Sequence, residues 1–264
     1  MLAGMLAAHN SSGTWGKFDR TAWWWDSFEC RVVSEIDNVR NVLITSLRKV
    51  RIFFAFASLA PAQQSVSFPT QDGGVIYADQ YGKGDRAVVL AHGGRFQKDG
   101  WAPQARTLAA TGFRVLAIDF RGEGKSHGGA QRDPEEGRHF DVLGAVHHLR
   151  KIGAKSVSVV GASMGGDYAA EAADIEPAAM DRLVLLASGA YTAVTKMKGP
   201  KLFILARDDA NDDGPRLPKI RAQYLKALDP KELIIVDGSA HAQFLFETDQ
   251  GERVMHEILR FLSE

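Results

Sequence analysis

The sequence has very little cysteine and no excess of either charge. Cys30 is the only cysteine among 264 residues, so the chain cannot form an intramolecular disulfide or a zinc or iron–sulfur site that needs several thiolates. Lysine and arginine number 32, aspartate and glutamate also number 32, and the formal net charge is zero. This balance gives the chain as a whole no electrostatic attraction to nucleic acid or to an anionic membrane. A local basic patch and a metal site built from histidine and carboxylate are compatible with these counts.

The sequence also lacks a hydrophobic run of membrane-spanning length. The apolar run at 52–60 is too short to cross a bilayer as a helix. It follows a basic cluster and ends in small residues, so segment 47–62 resembles a secretory signal peptide, although about forty residues precede it. One hypothesis is that translation begins near Val39 or Val42 and the protein is periplasmic or secreted. The alternative is an amphipathic or buried N-terminal helix of a cytoplasmic protein.

From Ser65 onward, apolar segments of strand length alternate with amphipathic segments of helix length. Strands are predicted at 75–77, 87–91, 113–118, 156–160, 183–186, 202–205 and 233–236, and helices at 101–110, 133–152, 168–173, 220–228 and 252–262. Strands that are apolar throughout need cover on both faces. We therefore predict an α/β fold with a mostly parallel central sheet and helices on both faces. Residues 65–264 form a single domain in this prediction, and residues 1–64 form an N-terminal extension.

A Gly-x-Ser-x-Gly sequence connects one predicted strand to one predicted helix. The strand at 156–160 leads into Gly161-Ala162-Ser163-Met164-Gly165, and a helix can begin directly afterwards. Glycine is needed two positions before and two positions after the serine because a Cβ there would clash with nearby backbone. The serine itself takes strained dihedral angles. This context predicts that Ser163 presents its hydroxyl above the edge of the sheet as a nucleophile.

Two nucleotide-binding interpretations fail on spacing. The sequence 124–126 resembles the end of a P-loop, but the first glycine of that motif would fall at Asp119. The turn at 161–166 resembles the glycine turn of short-chain dehydrogenases, which need Tyr-x-x-x-Lys downstream. Tyr191 and Tyr224 are each followed, four residues on, by a residue other than lysine.

Ser163 needs a base that takes its proton, and a histidine base works best when a carboxylate orients it. In a sheet of this type, the acid and then the histidine follow the serine on loops after later strands. His241 is the only one of the eight histidines that lies in a loop just past a late strand. His256 lies in the last predicted helix, and the other histidines precede Ser163. His241 is therefore the predicted base.

The predicted acid lies in an aspartate-rich loop after the strand at 202–205. Residues 207–213 contain four aspartates. Asp209 is the preferred acid because it lies about one turn length past the strand end, and Asp208 is the second choice. A solvated loop or a calcium site would also explain the cluster.

The chemistry further requires N–H donors for the negative charge that forms on the former carbonyl oxygen. One donor is expected from the backbone of Met164. The second is expected from His92-Gly93-Gly94-Arg95, directly after the strand at 87–91, where either Gly94 or Arg95 would donate. Two glycines let the backbone approach a ligand closely, although the same residues would also form a flexible turn.

The ordered set of motifs resembles the α/β-hydrolase family over residues 65–264. The set comprises His92-Gly93-Gly94, the sequence Asp-Phe-Arg-Gly-x-Gly-x-Ser at 119–126, Gly161 to Gly165, Asp209 and His241. The resemblance implies that Ser163 is the nucleophile, His241 the general base and acid, and Asp209 the orienting acid. It also implies that no metal and no organic cofactor takes part. The motif at 119–126 is usually structural in relatives.

The substrate pocket is expected to be open. Many relatives carry a lid after the strand at 183–186, but only residues 187–200 separate this strand from the next one. Small soluble esters are favoured by a cleft of this kind. The aromatic residues expected near the chemistry, any of which could fill the core instead, are Phe96, Trp101, Tyr191 and Phe244. Arg95 would either attract an anionic acyl group or point into solvent.

The expected function is that of a serine carboxylesterase acting through an acyl-enzyme on short or medium acyl chains. The expected partner is a small-molecule ester, with no nucleic acid and no stable membrane span, and the sequence makes no prediction of oligomeric state. Thioester, dienelactone-type and short peptide substrates are alternatives because the triad does not distinguish leaving groups. A noncatalytic member of the fold that binds a small ligand is the alternative from another class.

Overall fold

The structure is a computed structural model that describes residues 63–129, 136–188 and 194–264, all within one compact unit of the chain. The signal-peptide-like segment 47–62, the predicted helix start at residue 133 and Tyr191 lie outside the described residues. The proposed boundary at residues 64 and 65 stays a prediction.

Strands and helices alternate along the described part of the chain. The strands are β1 (Gln64–Pro69), β2 (Val75–Tyr81), β3 (Arg86–Ala91), β4 (Arg114–Ile118), β5 (Ser156–Ala162), β6 (Arg182–Leu186), β7 (Lys201–Ala206), β8 (Ala210–Asn211), β9 (Gly214–Pro215) and β10 (Lys231–Val236). The α-helices are α1 (Ala102–Ala110), α2 (Arg138–Lys151), α3 (Met164–Ile175), α4 (Arg216–Lys226) and α5 (Gly251–Ser263), and 3-10 helices lie at Lys98–Trp101 and Ala242–Glu247. None of the described helices has the length and apolar character that a bilayer crossing needs.

Eight of the described strands form one sheet in the order β1-β2-β4-β3-β5-β6-β7-β10. β2 pairs antiparallel with both β1 and β4, and the remaining neighbours are parallel. All six residues of β7 and the last five of β3 are buried. Because successive residues point to opposite faces of a strand, consecutive buried residues mean that both faces of the sheet are covered. The predicted α/β fold, with a mostly parallel sheet and helices on both faces, is confirmed.

Two helices begin earlier than predicted. α3 begins at Met164, directly after Ser163, rather than at residue 168. α4 begins at Arg216 rather than at residue 220, although Pro218 lies in its first turn. Proline is tolerated there because the N–H groups of a helix's first turn have no intrahelical acceptor. These early starts place the N-terminus of each helix beside the loops that carry the predicted catalytic residues.

Strand β1 was not predicted from the sequence. It lies at the edge of the sheet, and Phe68 is its only fully buried residue. A polar edge strand buries too little apolar surface to give the alternating pattern by which strands are recognised.

The motif at 119–126 contributes a buried ion-pair network. The Arg121 guanidinium donates to Asp141 Oδ1 from Nε at 2.9 Å and from Nη2 at 2.7 Å, and it pairs with Asp72 at 2.7 Å. Burial raises the pKa of Asp141. Burial would also raise the pKa of Asp72, but hydrogen bonds from Arg121 and Thr70 outweigh it and lower that pKa to about 2. Arg121 therefore joins the loop after β1 to α2 through charged groups that water scarcely reaches.

Replacing Arg121 by Gln is expected to destabilise the fold by about 3–5 kcal/mol, because the fully buried Asp141 loses its countercharge. Urea unfolding followed by circular dichroism measures this loss. The matched control is Arg260→Gln, which removes a more exposed guanidinium that pairs with Glu232, Glu257 and Glu264. It is expected to cost about 1 kcal/mol or less. Equal losses in the two variants would contradict the structural role of Arg121.

Candidate active site

Ser163 occupies the turn between β5 and α3 in a conformation that residues other than glycine rarely adopt. Its φ is 47° and its ψ is −117°. The turn is held from both sides: the Ser163 N–H donates to Leu186 O at 2.9 Å, and the Ser163 carbonyl accepts from Gly166 N and Asp167 N at 2.9 and 3.0 Å. A strained residue persists only where its surroundings fix it. These hydrogen bonds therefore fix Ser163 in a conformation in which its side chain projects out of the turn.

The glycines around Ser163 leave no space for a side chain. A Cβ at Gly161 would lie 2.5 Å from Gly166 Cα, and a Cβ at Gly165 would lie 2.4 Å from Ala91 O. Both contacts are with backbone, which cannot rotate away as a side chain can. The close packing of β5, α3 and β3 at this turn thus requires glycine at these positions.

Ser163, His241 and Asp209 form one continuous chain of hydrogen bonds. His241 Nε2 lies 2.7 Å from Ser163 Oγ, and His241 Nδ1 lies 2.7 Å from Asp209 Oδ2. Asp209 is fully buried, whereas the His241 side chain is 29% exposed. Since a carboxylate only accepts, a neutral His241 donates from Nδ1 to Asp209 and accepts the Ser163 hydroxyl proton at Nε2. This arrangement can remove a proton from the serine.

The structure brings Asp209, and not Asp208, to His241. Asp208 is exposed, and its N–H donates to Gly238 O at 2.9 Å. The aspartate loop gives no sign of a calcium site: within the described residues no group of three or more His, Cys, Asp or Glu side chains is placed to hold a metal ion.

The turn after β3 is fixed by two buried side chains. His92 donates from Nδ1 to Gly93 O at 2.9 Å and accepts at Nε2 from Phe120 N at 3.3 Å. Burial lowers the pKa of His92, which favours the neutral ring that this pair of hydrogen bonds needs. On the other side, the Gly93 N–H donates to Gln243 Oε1 at 2.8 Å. The peptide groups on both sides of Gly93 are thereby oriented.

The predicted backbone donors border the same cavity as Ser163. Gly94, Arg95 and Met164 all line it, and among the described residues no protein group accepts from the N–H of Gly94 or of Met164. Gly94 lies against Met164, because a Cβ placed on Gly94 would be 3.7 Å from Met164 Sδ. Free N–H groups that border the cavity of a nucleophile can receive the charge of an oxyanion.

The cavity above Ser163 has a volume of about 530 Å³. Phe96 and Phe244 line it, and their ring centroids lie 4.9 Å apart. The structure does not place Trp101 there: its side chain is 1% exposed, lies in the hydrophobic core and packs against Phe246. Trp101 ends a 3-10 helix that turns its ring toward the core, so the sequence expectation for this residue is corrected.

Sequence reasoning missed two residues of this site. Gln243 follows His241 by two positions; its side chain is 3% exposed, and its Nε2 has no partner among the described residues. Arg216 was placed before a predicted helix rather than in it, and it lines the cavity beside Asn211 and Asp212. The contact of Gln243 with Gly93 joins residues 150 positions apart, so no local pattern signals it, whereas Arg216 was missed because α4 begins earlier than predicted.

Comparison with known proteins identifies the fold. Residues 86–250 match the family model described as the alpha/beta hydrolase fold. This match covers more than half of the chain. The protein therefore belongs to the α/β-hydrolase family, as the motifs predicted.

Individual relatives share only part of their length with this chain. A 2-hydroxy-6-oxononadienedioate/2-hydroxy-6-oxononatrienedioate hydrolase of Pseudomonas sp. is 31% identical over 130 residues, which are 48% of this chain and 45% of that protein. The human serine hydrolase BPHL is 33% identical over 118 residues, 44% of this chain and 40% of that protein. The chain thus matches under half the length of these curated relatives.

Among solved structures, the esterase Pf2001 of Pyrococcus furiosus superposes with a TM-score of 0.64 at 20% identity, covering 78% of this chain and 95% of the esterase. The esterase EaEST of Exiguobacterium antarcticum superposes with a TM-score of 0.63 at 15% identity, covering 76% of this chain and all of that one. At this level of identity the likeness concerns the fold.

Substituting Gly161 by Ala is expected to destabilise the protein by more than about 2 kcal/mol, because the new methyl group would lie 2.5 Å from backbone. The matched control is Gly94→Ala, whose methyl group would meet only Met164 Sδ at 3.7 Å and is expected to cost less than about 1 kcal/mol. Thermal unfolding of both variants measures the difference. Similar melting temperatures of the two variants would contradict the prediction, because they would mean that the backbone around Gly161 can move apart without loss of stability.

Proposed function

We propose that the protein is a serine hydrolase that cleaves small carboxylic esters through an acyl-enzyme intermediate. The observation that carries the proposal is the unbroken chain from Ser163 Oγ through His241 to the buried Asp209, with both links at 2.7 Å. The family membership of the chain supports the same reaction class.

In the first half of the reaction, Ser163 Oγ attacks the ester carbonyl carbon while its proton passes to His241 Nε2. Asp209 keeps the imidazole in the tautomer that can accept this proton and stabilises the imidazolium that forms. The carbonyl π electrons move to oxygen, where the N–H groups of Met164 and of Gly94 or Arg95 receive the charge. When the intermediate collapses, the C–O bond to the alcohol breaks and His241 gives its proton to the leaving oxygen.

In the second half, water replaces the alcohol. His241 takes a proton from the water as its oxygen attacks the acyl carbon, and the same backbone N–H groups again receive the oxyanion. Collapse breaks the bond to Ser163 Oγ, and the proton returns from His241 to the serine. No metal or organic cofactor is needed at any step.

The cavity supports substrates with small acyl groups. A volume of about 530 Å³ and one aromatic pair, Phe96 with Phe244, provide apolar contact for a short or medium chain. The segment between β6 and β7 is short, which leaves little chain to build a lid over Ser163.

The Ser163→Ala variant is expected to lose both labelling by a fluorophosphonate probe and hydrolysis of 4-nitrophenyl esters with graded acyl length, because no other group forms the acyl-enzyme. Ser158→Ala serves as the control, since Ser158 lies on the same strand, β5, away from the cavity. Its labelling should match the wild type. Absence of labelling in the wild-type protein would instead indicate a noncatalytic ligand-binding protein.

Asp209→Asn is expected to lower kcat for ester hydrolysis by about 1,000- to 10,000-fold, because an amide no longer selects the productive tautomer of His241. The neighbouring Asp208→Asn removes the same charge from an exposed position of the same loop and should leave kcat within about 3-fold. Steady-state kinetics on one 4-nitrophenyl ester compares the two. A larger loss of kcat in Asp208→Asn than in Asp209→Asn would mean that Asp208, and not Asp209, is the orienting acid.

A further inference from the structure

Arg216 is a largely buried cation at the active site that the proposed reaction does not use. It is the first residue of α4, and its N–H donates to Asp209 O at 2.9 Å, which fixes its backbone beside the triad. Its side chain is 23% exposed. It lines three cavities that border Ser163.

The contact between Arg216 and Asp209 does not satisfy the guanidinium. Arg216 Nε lies 3.4 Å from Asp209 Oδ1, and neither of these buried atoms makes a hydrogen bond among the described residues. The Arg216 Nη atoms have no hydrogen-bond partner there either. Arginine holds a carboxylate best through two parallel N–H···O bonds, and the orientation seen here offers none to Asp209.

The other carboxylates around these cavities have partners of their own or are exposed. Asp167 accepts from Ser188 Oγ at 2.9 Å, and Glu171 lies 3.1 Å from His139 Nδ1. Asp212 is an exposed residue at the cavity rim. Arg216 is consequently the one largely buried cation that lines the cavity above Ser163 within the described residues, and no carboxylate there forms a bidentate pair with it.

We infer that Arg216 binds a carboxylate of the substrate, so that the preferred substrates are esters that carry a negative charge in addition to the ester group. This inference rests on the proposed ester hydrolysis and specifies its substrate class. A guanidinium removed from bulk water interacts with an anion more strongly than an exposed one does. Arg95, which lines the same cavity, is exposed and contributes less for that reason.

The test uses esters that differ in charge. The neutral reference is 4-nitrophenyl hexanoate. The 4-nitrophenyl monoester of adipic acid places a carboxylate on the acyl part, the hexanoate ester of 4-hydroxybenzoate places it on the alcohol part, and 4-nitrophenyl 6-aminohexanoate carries a positive charge. We expect the wild type to have a lower KM for at least one anionic ester than for the neutral one, and the highest KM for the cationic ester.

Arg216→Gln should raise KM for the preferred anionic ester roughly 10- to 100-fold more than KM for the neutral ester, the range of a lost charge-assisted hydrogen bond. Arg216→Lys should restore part of the preference because the charge remains while the bidentate geometry is lost. Arg221→Gln is the matched control, since Arg221 lies on the same helix, is exposed and lines none of these cavities. It should keep the wild-type preference.

Two outcomes would overturn the inference. If Arg216→Gln changes kcat and KM by equal factors for all four esters, Arg216 only positions Asp209. If the wild type shows no preference for either anionic ester, the cation does not select substrate.

Binding of the same esters to the Ser163→Ala protein, measured by calorimetry, separates this inference from the proposed function. If the Ser163→Ala protein binds an anionic ester more tightly than the neutral ester, and the added Arg216→Gln substitution removes this difference, the subsite is supported. This holds even if the wild type hydrolyses none of the esters. Equal affinities for neutral and anionic esters would reject the subsite even where esters are hydrolysed.

Discussion

The site depends on the close packing at the Ser163 turn. Gly161 and Gly165 allow β5, α3 and β3 to approach so closely that Ser163 is held at a φ of 47°. The hydrogen bond to His241 needs no adjustment of the serine because the backbone already presents the hydroxyl. The energy stored in this strained residue is balanced by the buried apolar strands around it, whose packing would be lost if the turn relaxed.

Two parts of the chain that are far apart in sequence are held together by the same few groups. His92 and Gln243 hold the turn at Gly93 from opposite sides, and Gln243 belongs to the 3-10 helix that begins directly after His241. The proposed base and the proposed oxyanion donors are therefore joined by a side chain that takes no part in the chemistry. A displacement of the His241 loop would therefore also displace the turn at Gly93.

The fold and the order of the site residues could be read from the sequence because both have local signatures. Buried strands are apolar throughout, and the turn at Ser163 needs glycine at fixed spacing. The choice of Asp209 over Asp208 rested only on distance from a strand end; in the structure Asp209 is the aspartate that contacts His241. Trp101 was misplaced because an aromatic residue in a loop can face either the core or the cavity. Gln243 acts through a contact across the fold, which no local pattern encodes, and Arg216 was missed because the start of α4 was predicted too late.

Asp209 and Arg216 lie at the two ends of one small hairpin, formed by β8 and β9, and a backbone hydrogen bond closes it. A change in the length of this hairpin would move the acid of the triad together with the side chain that we assign to substrate choice. Variation in substrate range is therefore more easily tolerated on the cavity wall formed by Phe96 and Phe244, where side chains can be exchanged without shifting Asp209. Libraries made for altered selectivity would accordingly retain more active members when diversified at that wall.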